Sequence, residues 1–68
     1  MAALTINGRI REFAEFPLTV GQVLDQLQLN RQTVVVEVDG ELVKRERFDL
    51  HQLQSGQRLE LVQFVGGG

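Results

Sequence analysis

Two dipeptides, Asn7-Gly8 and Asp39-Gly40, set most of the limits on this chain. Each stands between short apolar runs, and each suits a two-residue hairpin turn in which both central positions need positive φ. The first turn joins a strand around Leu4–Ile6 to one around Arg9–Phe13. Leu4 and Ile6 share a face, while Arg9 and Arg11 flank Ile10, so at least one face of the return strand is solvated. The second turn lies within TVVVEVDGELVK, where the β-branched run from Thr33 to Val36 favours extended backbone. Alternation there puts Val34, Val36 and Val38 on one face.

Between the hairpins, LTVGQVLDQLQLN predicts a single helix. Thr19 followed by Gln22 matches a capping box, in which hydroxyl and amide satisfy backbone donors at the helix start. Val20, Val23, Leu24 and Leu27 recur at helical spacing, with Asp25, Gln26 and Gln28 on the other side. Asn30 is the expected stop, since asparagine tolerates the left-handed conformation of helix ends. Gly21 weakens the first turn by about 1 kcal/mol relative to alanine. After the second hairpin, RERFDLHQLQSGQ predicts an irregular crossing anchored by Phe48, Leu50 and Leu53, with a turn at Ser55-Gly56. RLELVQFV is the last strand and leads into Gly66, Gly67 and Gly68.

One helix cannot cover both faces of five strands. The economical packing is a mixed five-stranded sheet wrapped around that helix, an α+β arrangement known as the β-grasp or ubiquitin-like fold. Its first and last strands lie parallel at the centre, which here sets Leu4–Ile6 beside Leu59–Leu61. Residues 1–65 are expected to form the β-grasp domain, with 66–68 as a flexible glycine tail. No cysteine is present among the 68 residues, so neither a disulfide framework nor a thiolate zinc site is available, and a core must hold the fold together.

The net charge of -2 leaves no basic footprint for nucleic acid, and Glu46 interrupts Lys44, Arg45 and Arg47. No stretch approaches the roughly 20 apolar residues of a membrane span. MAALTINGRI lacks the pattern of a signal peptide, so a cytoplasmic location is expected.

Chemistry has few places to reside. His51 has no second histidine or cysteine to complete a metal site. Ser55 reads as turn chemistry beside Gly56, and no phosphate-cradling glycine loop precedes the helix. The acidic residues form no constellation, so no self-contained active site is expected. The glycine run is the remaining feature. A terminal carboxylate is ionised at neutral pH and is a poor electrophile, so it must be activated before accepting sulfur or an amine. Glycines carry no Cβ to meet a channel wall, and three of them reach roughly 10 Å. Simple fraying would also leave such an end. Just before it, the alternation that sends Leu59 and Leu61 inward turns Val62 and Phe64 outward, where exposed apolar residues suit partner docking. A bulge or a covering loop would instead bring them inside.

With these motifs in view, the chain resembles the ThiS-type sulfur carriers of thiamine biosynthesis. LTVGQVLDQLQL is similar to the family's helix segment, VVEVDGELVKRERF to its central hairpin and the stretch after it, and GQRLELVQFVGGG to its final strand and tail. The resemblance implies a carrier rather than an enzyme. In it, an adenylyltransferase related to ubiquitin-activating enzymes adenylates the Gly68 carboxylate, using ATP and magnesium that belong to that enzyme. Sulfur from a persulfide donor protein then gives a thiocarboxylate, and thiazole synthase takes the sulfur. Gly67 and Gly68 carry over directly, and Gly66 supplies reach. The small subunit of molybdopterin synthase resembles this chain too, though such chains tend to be longer and to carry prolines before the tail, whereas Pro17 is the one proline here. Another ubiquitin-like sulfur carrier, a modifier joined to lysines, and a passive binding module with an idle tail complete the alternatives.

Overall fold

A computed structural model describes residues 2–64. In chain order its elements are β1 (Ala2–Ile6), β2 (Arg9–Phe13), β3 (Leu18–Thr19), α1 (Val20–Gln26), a 3-10 turn (Arg31–Thr33), β4 (Val34–Val38), β5 (Glu41–Val43), a second 3-10 turn (Arg45–Arg47), β6 (Gln52–Leu53) and β7 (Arg58–Gln63). Both glycine dipeptides make the expected hairpins. Asn7 and Gly8 have φ of 51° and 82°, and Asp39 and Gly40 have 50° and 87°. Ile6 then faces Arg9, and Val38 faces Glu41.

The main sheet runs β2-β1-β7-β4-β5, with β1 and β7 parallel at its centre. This is the β-grasp order. The register differs from expectation: Ile6, not Leu4, lies opposite Leu59. The slip is two residues, and an even slip keeps every side chain on its face. Leu4, Ile6, Val34, Val36, Val38 and Leu59 accordingly all point at the helix and are buried.

The helix starts as its sequence predicts and stops sooner. Thr19 Oγ1 accepts the Gln22 N–H at 3.1 Å, and Gln22 Oε1 accepts the Thr19 N–H at 2.8 Å, completing the capping box. The first turn also docks on the crossing segment, because the N–H groups of Val20 and Gly21 reach the carbonyls of His51 and Phe48. At the other end Gln28, with φ of 59°, takes the left-handed position expected of Asn30. Leu29 N–H bonds Leu24 O and Gln28 N–H bonds Asp25 O, the paired bonds that close a helix around a left-handed residue. Asn30 begins the next turn, its Oδ1 accepting the Gln32 N–H at 2.8 Å.

Phe48 and Leu53 anchor the crossing segment in the core, but Leu50 is 64% exposed. The backbone winds tightly there, with both Leu50 and His51 N–H groups on Arg47 O, and this turns Leu50 outward. A short second sheet, β3 against β6, pairs Leu18 with Leu53 and ties the helix entry to the crossing. Among the described residues no helix is long and apolar enough to cross a membrane.

Candidate functional site at the end of the central strand

β7 lies between two neighbours, and three side chains from distant turns grip it or its partner. Asp39, at the tip of the β4–β5 hairpin, accepts the Arg58 N–H on Oδ1 at 2.9 Å and the Gln57 side-chain amide on Oδ2 at 3.0 Å. Its own N–H bonds Arg58 O at 2.7 Å. Asn7, at the tip of the β1–β2 hairpin, takes the Leu61 N–H on Oδ1 at 2.7 Å and gives Nδ2–H to Leu61 O at 3.1 Å. Ser55 holds the start of β1, its Oγ accepting the Ala3 N–H at 3.1 Å. Sequence reading had assigned these residues to turns alone. Their positive φ or turn chemistry was visible, whereas their partners, 52 to 54 residues away for Ser55 and Asn7, were not.

Beyond Leu61 the pairing continues on the β4 side only, through Gln63 and then a 2.7 Å bond from Phe64 N–H to Thr33 O. Val62 and Phe64 are 54% and 59% exposed, so neither a bulge nor a loop buries them. Val62 sits opposite Val35 on the sheet face away from the helix, and Ile10 and Leu42 are exposed on that same face. Glu37 and Glu60 stand opposite one another between them. The open face therefore mixes these apolar residues with charges, the acidic pair at its middle and Arg58 and Glu12 toward β1 and β2.

The other side of the sheet offers a groove of about 630 Å³ between the helix end and the β2 edge, lined among others by Arg9, Arg11, Gln28, Leu61 and Gln63. Arg9 and Arg11 share the helix-side face with the core but overhang it at the edge. The strongest charge cluster lies elsewhere. Arg31 bonds Asp25 through Nε and Nη2 and Asp49 through Nη1, at 2.9 to 3.3 Å. Asp49, and after it Asp25, hold the guanidinium above the ordinary arginine range. The cluster joins the helix to the crossing segment. Among the described residues no three histidine, cysteine or acidic side chains gather to hold a metal. His51 contributes its backbone carbonyl to the helix start and stands apart from any such group.

Gly66, Gly67 and Gly68, expected as the working tail, lie outside the described residues. What the structure provides is their base: a central strand fixed by Asp39 at one end and Asn7 near the other, with Val62 and Phe64 exposed beside the point where the tail begins.

The model of the ThiS family matches residues 4–68. Over 65 residues the chain is 32% identical to the sulfur carrier protein ThiS of Bacillus subtilis (strain 168), covering 96% of this chain and 98% of that one. It is 35% identical over 65 residues to a thiazole synthase of Paramagnetospirillum magneticum (strain ATCC 700264 / AMB-1), and there it spans 20% of the longer protein. The crystal structure of thiamine biosynthesis protein ThiS from Geobacter metallireducens superposes with a TM-score of 0.83 at 34% identity, covering 97% of this chain and 99% of that one. A solution structure of a thiamine biosynthesis protein from the same organism gives 0.81 at 34% identity, over 97% and 87%.

Proposed function

The chain belongs to the ThiS family, and from that membership we propose that it is a sulfur carrier of thiamine biosynthesis whose reactive group is the carboxylate of Gly68. One observation carries the assignment of the site: the family match runs through the glycine tail to residue 68. It is supported by the lack, among the described residues, of any metal-holding cluster or buried polar side chain that would serve chemistry elsewhere.

The chemistry has three steps on the carrier. A carboxylate oxygen attacks the α-phosphorus of ATP, pyrophosphate leaves, and the resting anion becomes an acyl adenylate. A persulfide sulfur on a donor protein then attacks the acyl carbon and AMP leaves. Cleavage of the S–S bond by a thiol releases the thiocarboxylate and leaves the thiol and donor joined as a disulfide. ATP and magnesium are held by a ubiquitin-activating-enzyme-like adenylyltransferase, and the exchange takes place in the cytoplasm. The carrier is a co-substrate of other enzymes. Thiazole synthase is the proposed sulfur acceptor, a reading supported by the likeness of this chain to a fifth of a protein of that name. Val62 and Phe64 serve as docking residues for the activating enzyme, since they present apolar surface at the base of the tail.

Intact-mass measurement tests this directly. Incubation with the activating enzyme, ATP, magnesium, a persulfide donor and a thiol is expected to replace one oxygen of the carrier by sulfur, and removal of Gly67 and Gly68 to abolish the product. An unchanged mass, with partners that convert another ThiS chain in the same assay, would overturn the assignment.

A further inference from the structure

We propose that Asn7 is a positioning residue for the reaction at Gly68, acting through Leu61; the inference rests on the reading of Gly68 given above. β1 ends at Ile6, whose partner is Leu59. Asn7 N–H still reaches Leu59 O at 2.9 Å, and then its backbone turns away into the hairpin. From that point β7 would have a backbone neighbour on the β4 side alone. The Asn7 side chain fills the gap. Its amide is one donor and one acceptor in a plane, the same pair that a continuing strand would offer. It meets the N–H and C=O of Leu61 together, at 2.7 and 3.1 Å.

This clamp determines how far β7 is held from both sides. With it, Leu61 is the last residue of β7 held from both sides; without it, that residue is Leu59. The residues from Glu60 onward are then held by β4 alone, and that one-sided strand has to keep its place each time the carboxylate is presented to the activating site. The backbone freedom of those residues opposes presentation, and small errors of placement at a reacting atom slow a reaction strongly. A structural requirement at position 7 is met without the clamp, because the turn needs only two residues that accept positive φ, and Gly-Gly or Asp-Gly satisfies it equally. The clamp is specific to asparagine. Glycine lacks the side chain, and aspartate keeps an acceptor for Leu61 N–H but sets a second oxygen against Leu61 O.

The test compares Asn7→Gly and Asn7→Asp with Asp39→Gly, which removes the matching side-chain grip on Arg58 at the other end of β7 while keeping its turn. The expected result is a fall of about tenfold in kcat for thiocarboxylate formation in both Asn7 variants, with docking affinity for the activating enzyme within about twofold of the parent chain. Faster amide exchange at Leu61 accompanies it, and Asp39→Gly retains the parent kcat. Parent kcat in Asn7→Gly, with Leu61 exchange accelerated, would overturn the inference alone. So would an equal loss in Asp39→Gly, which would reduce the effect to general loosening of β7. A parent chain that yields no thiocarboxylate overturns the role of Gly68 and this inference with it.

Discussion

Gly21 and Arg31 compete for one volume: a Cβ built on Gly21 would lie 2.6 Å from Nη2 of Arg31 and 2.5 Å from Oδ1 of Asp49. A glycine in the first turn of a seven-residue helix looks like a flaw, since alanine favours helix by up to about 1 kcal/mol. The structure supplies the compensation. The guanidinium that bridges Asp25 and Asp49 lies over the helix start, and only a residue without Cβ lets it approach.

A double-mutant cycle follows from that overlap. Gly21→Ala in an Arg31→Ala background is expected to stabilise by up to about 1 kcal/mol, since Asp49, exposed and released from Arg31, can swing away from the new methyl. In the parent background the gain is expected to shrink or reverse, because the methyl displaces Arg31 from both carboxylates. Urea unfolding of the four chains measures the coupling. Equal effects in both backgrounds would show that Arg31 yields without cost.

Phe64 and Phe48 are expected to separate docking from folding. Phe48 is 2% exposed, and Phe48→Ala should cost roughly 3–5 kcal/mol of stability. Phe64 is 59% exposed, so Phe64→Ala should cost less than about 1 kcal/mol. The same change should weaken binding to the activating enzyme about tenfold, as truncating an aromatic interface anchor does. Calorimetric titration against that enzyme, beside a denaturation curve, reads both. Undiminished binding would remove Phe64 from the docking surface.

The acidic pair on the open face predicts a stabilising substitution. Glu37 and Glu60 are directly opposed across β4 and β7, and like charges so placed are destabilising. Glu60→Thr removes the repulsion and adds a β-branched residue to a central strand. A gain of about 0.5 kcal/mol is expected at low salt, shrinking as salt screens the parent pair. A gain that is insensitive to salt would assign it to strand propensity instead.

The parts of the fold legible in the sequence are those whose cause is local. Asn7-Gly8 and Asp39-Gly40 announce their turns because positive φ is a property of the residues themselves, and Thr19 with Gln22 announces the helix start for a similar reason. The helix end was harder to read. Gln28 has no special liking for the left-handed conformation, and it adopts it because Leu29 bonds back to Leu24 while packing against the core. β3 and β6, two residues each, are too short for any periodicity to show. Leu50 misled because an apolar residue in an irregular segment has no face until the backbone turns are fixed. At the candidate site, alternation gave the outward direction of Val62 and Phe64. The grips of Asn7 on Leu61 and Asp39 on Arg58 join positions far apart in the chain, and nothing in the local sequence marks them.

The central place of β7 also has a bearing on synthesis. β1 and β4 do not pair with each other; both pair with β7, so the sheet stays in two halves until residues 58–63 are available. A nascent chain on the ribosome can make its hairpins and its helix turn early, since these are local, but the non-local pairings that join the halves form last. A chain cut short before Arg58 therefore has no closed sheet and is exposed to the fate of unfolded polypeptides. The strand that makes the domain foldable is the one that carries the tail. Folding thus acts as a check on translation: copies that persist in the cell have been translated at least through residues 58–63.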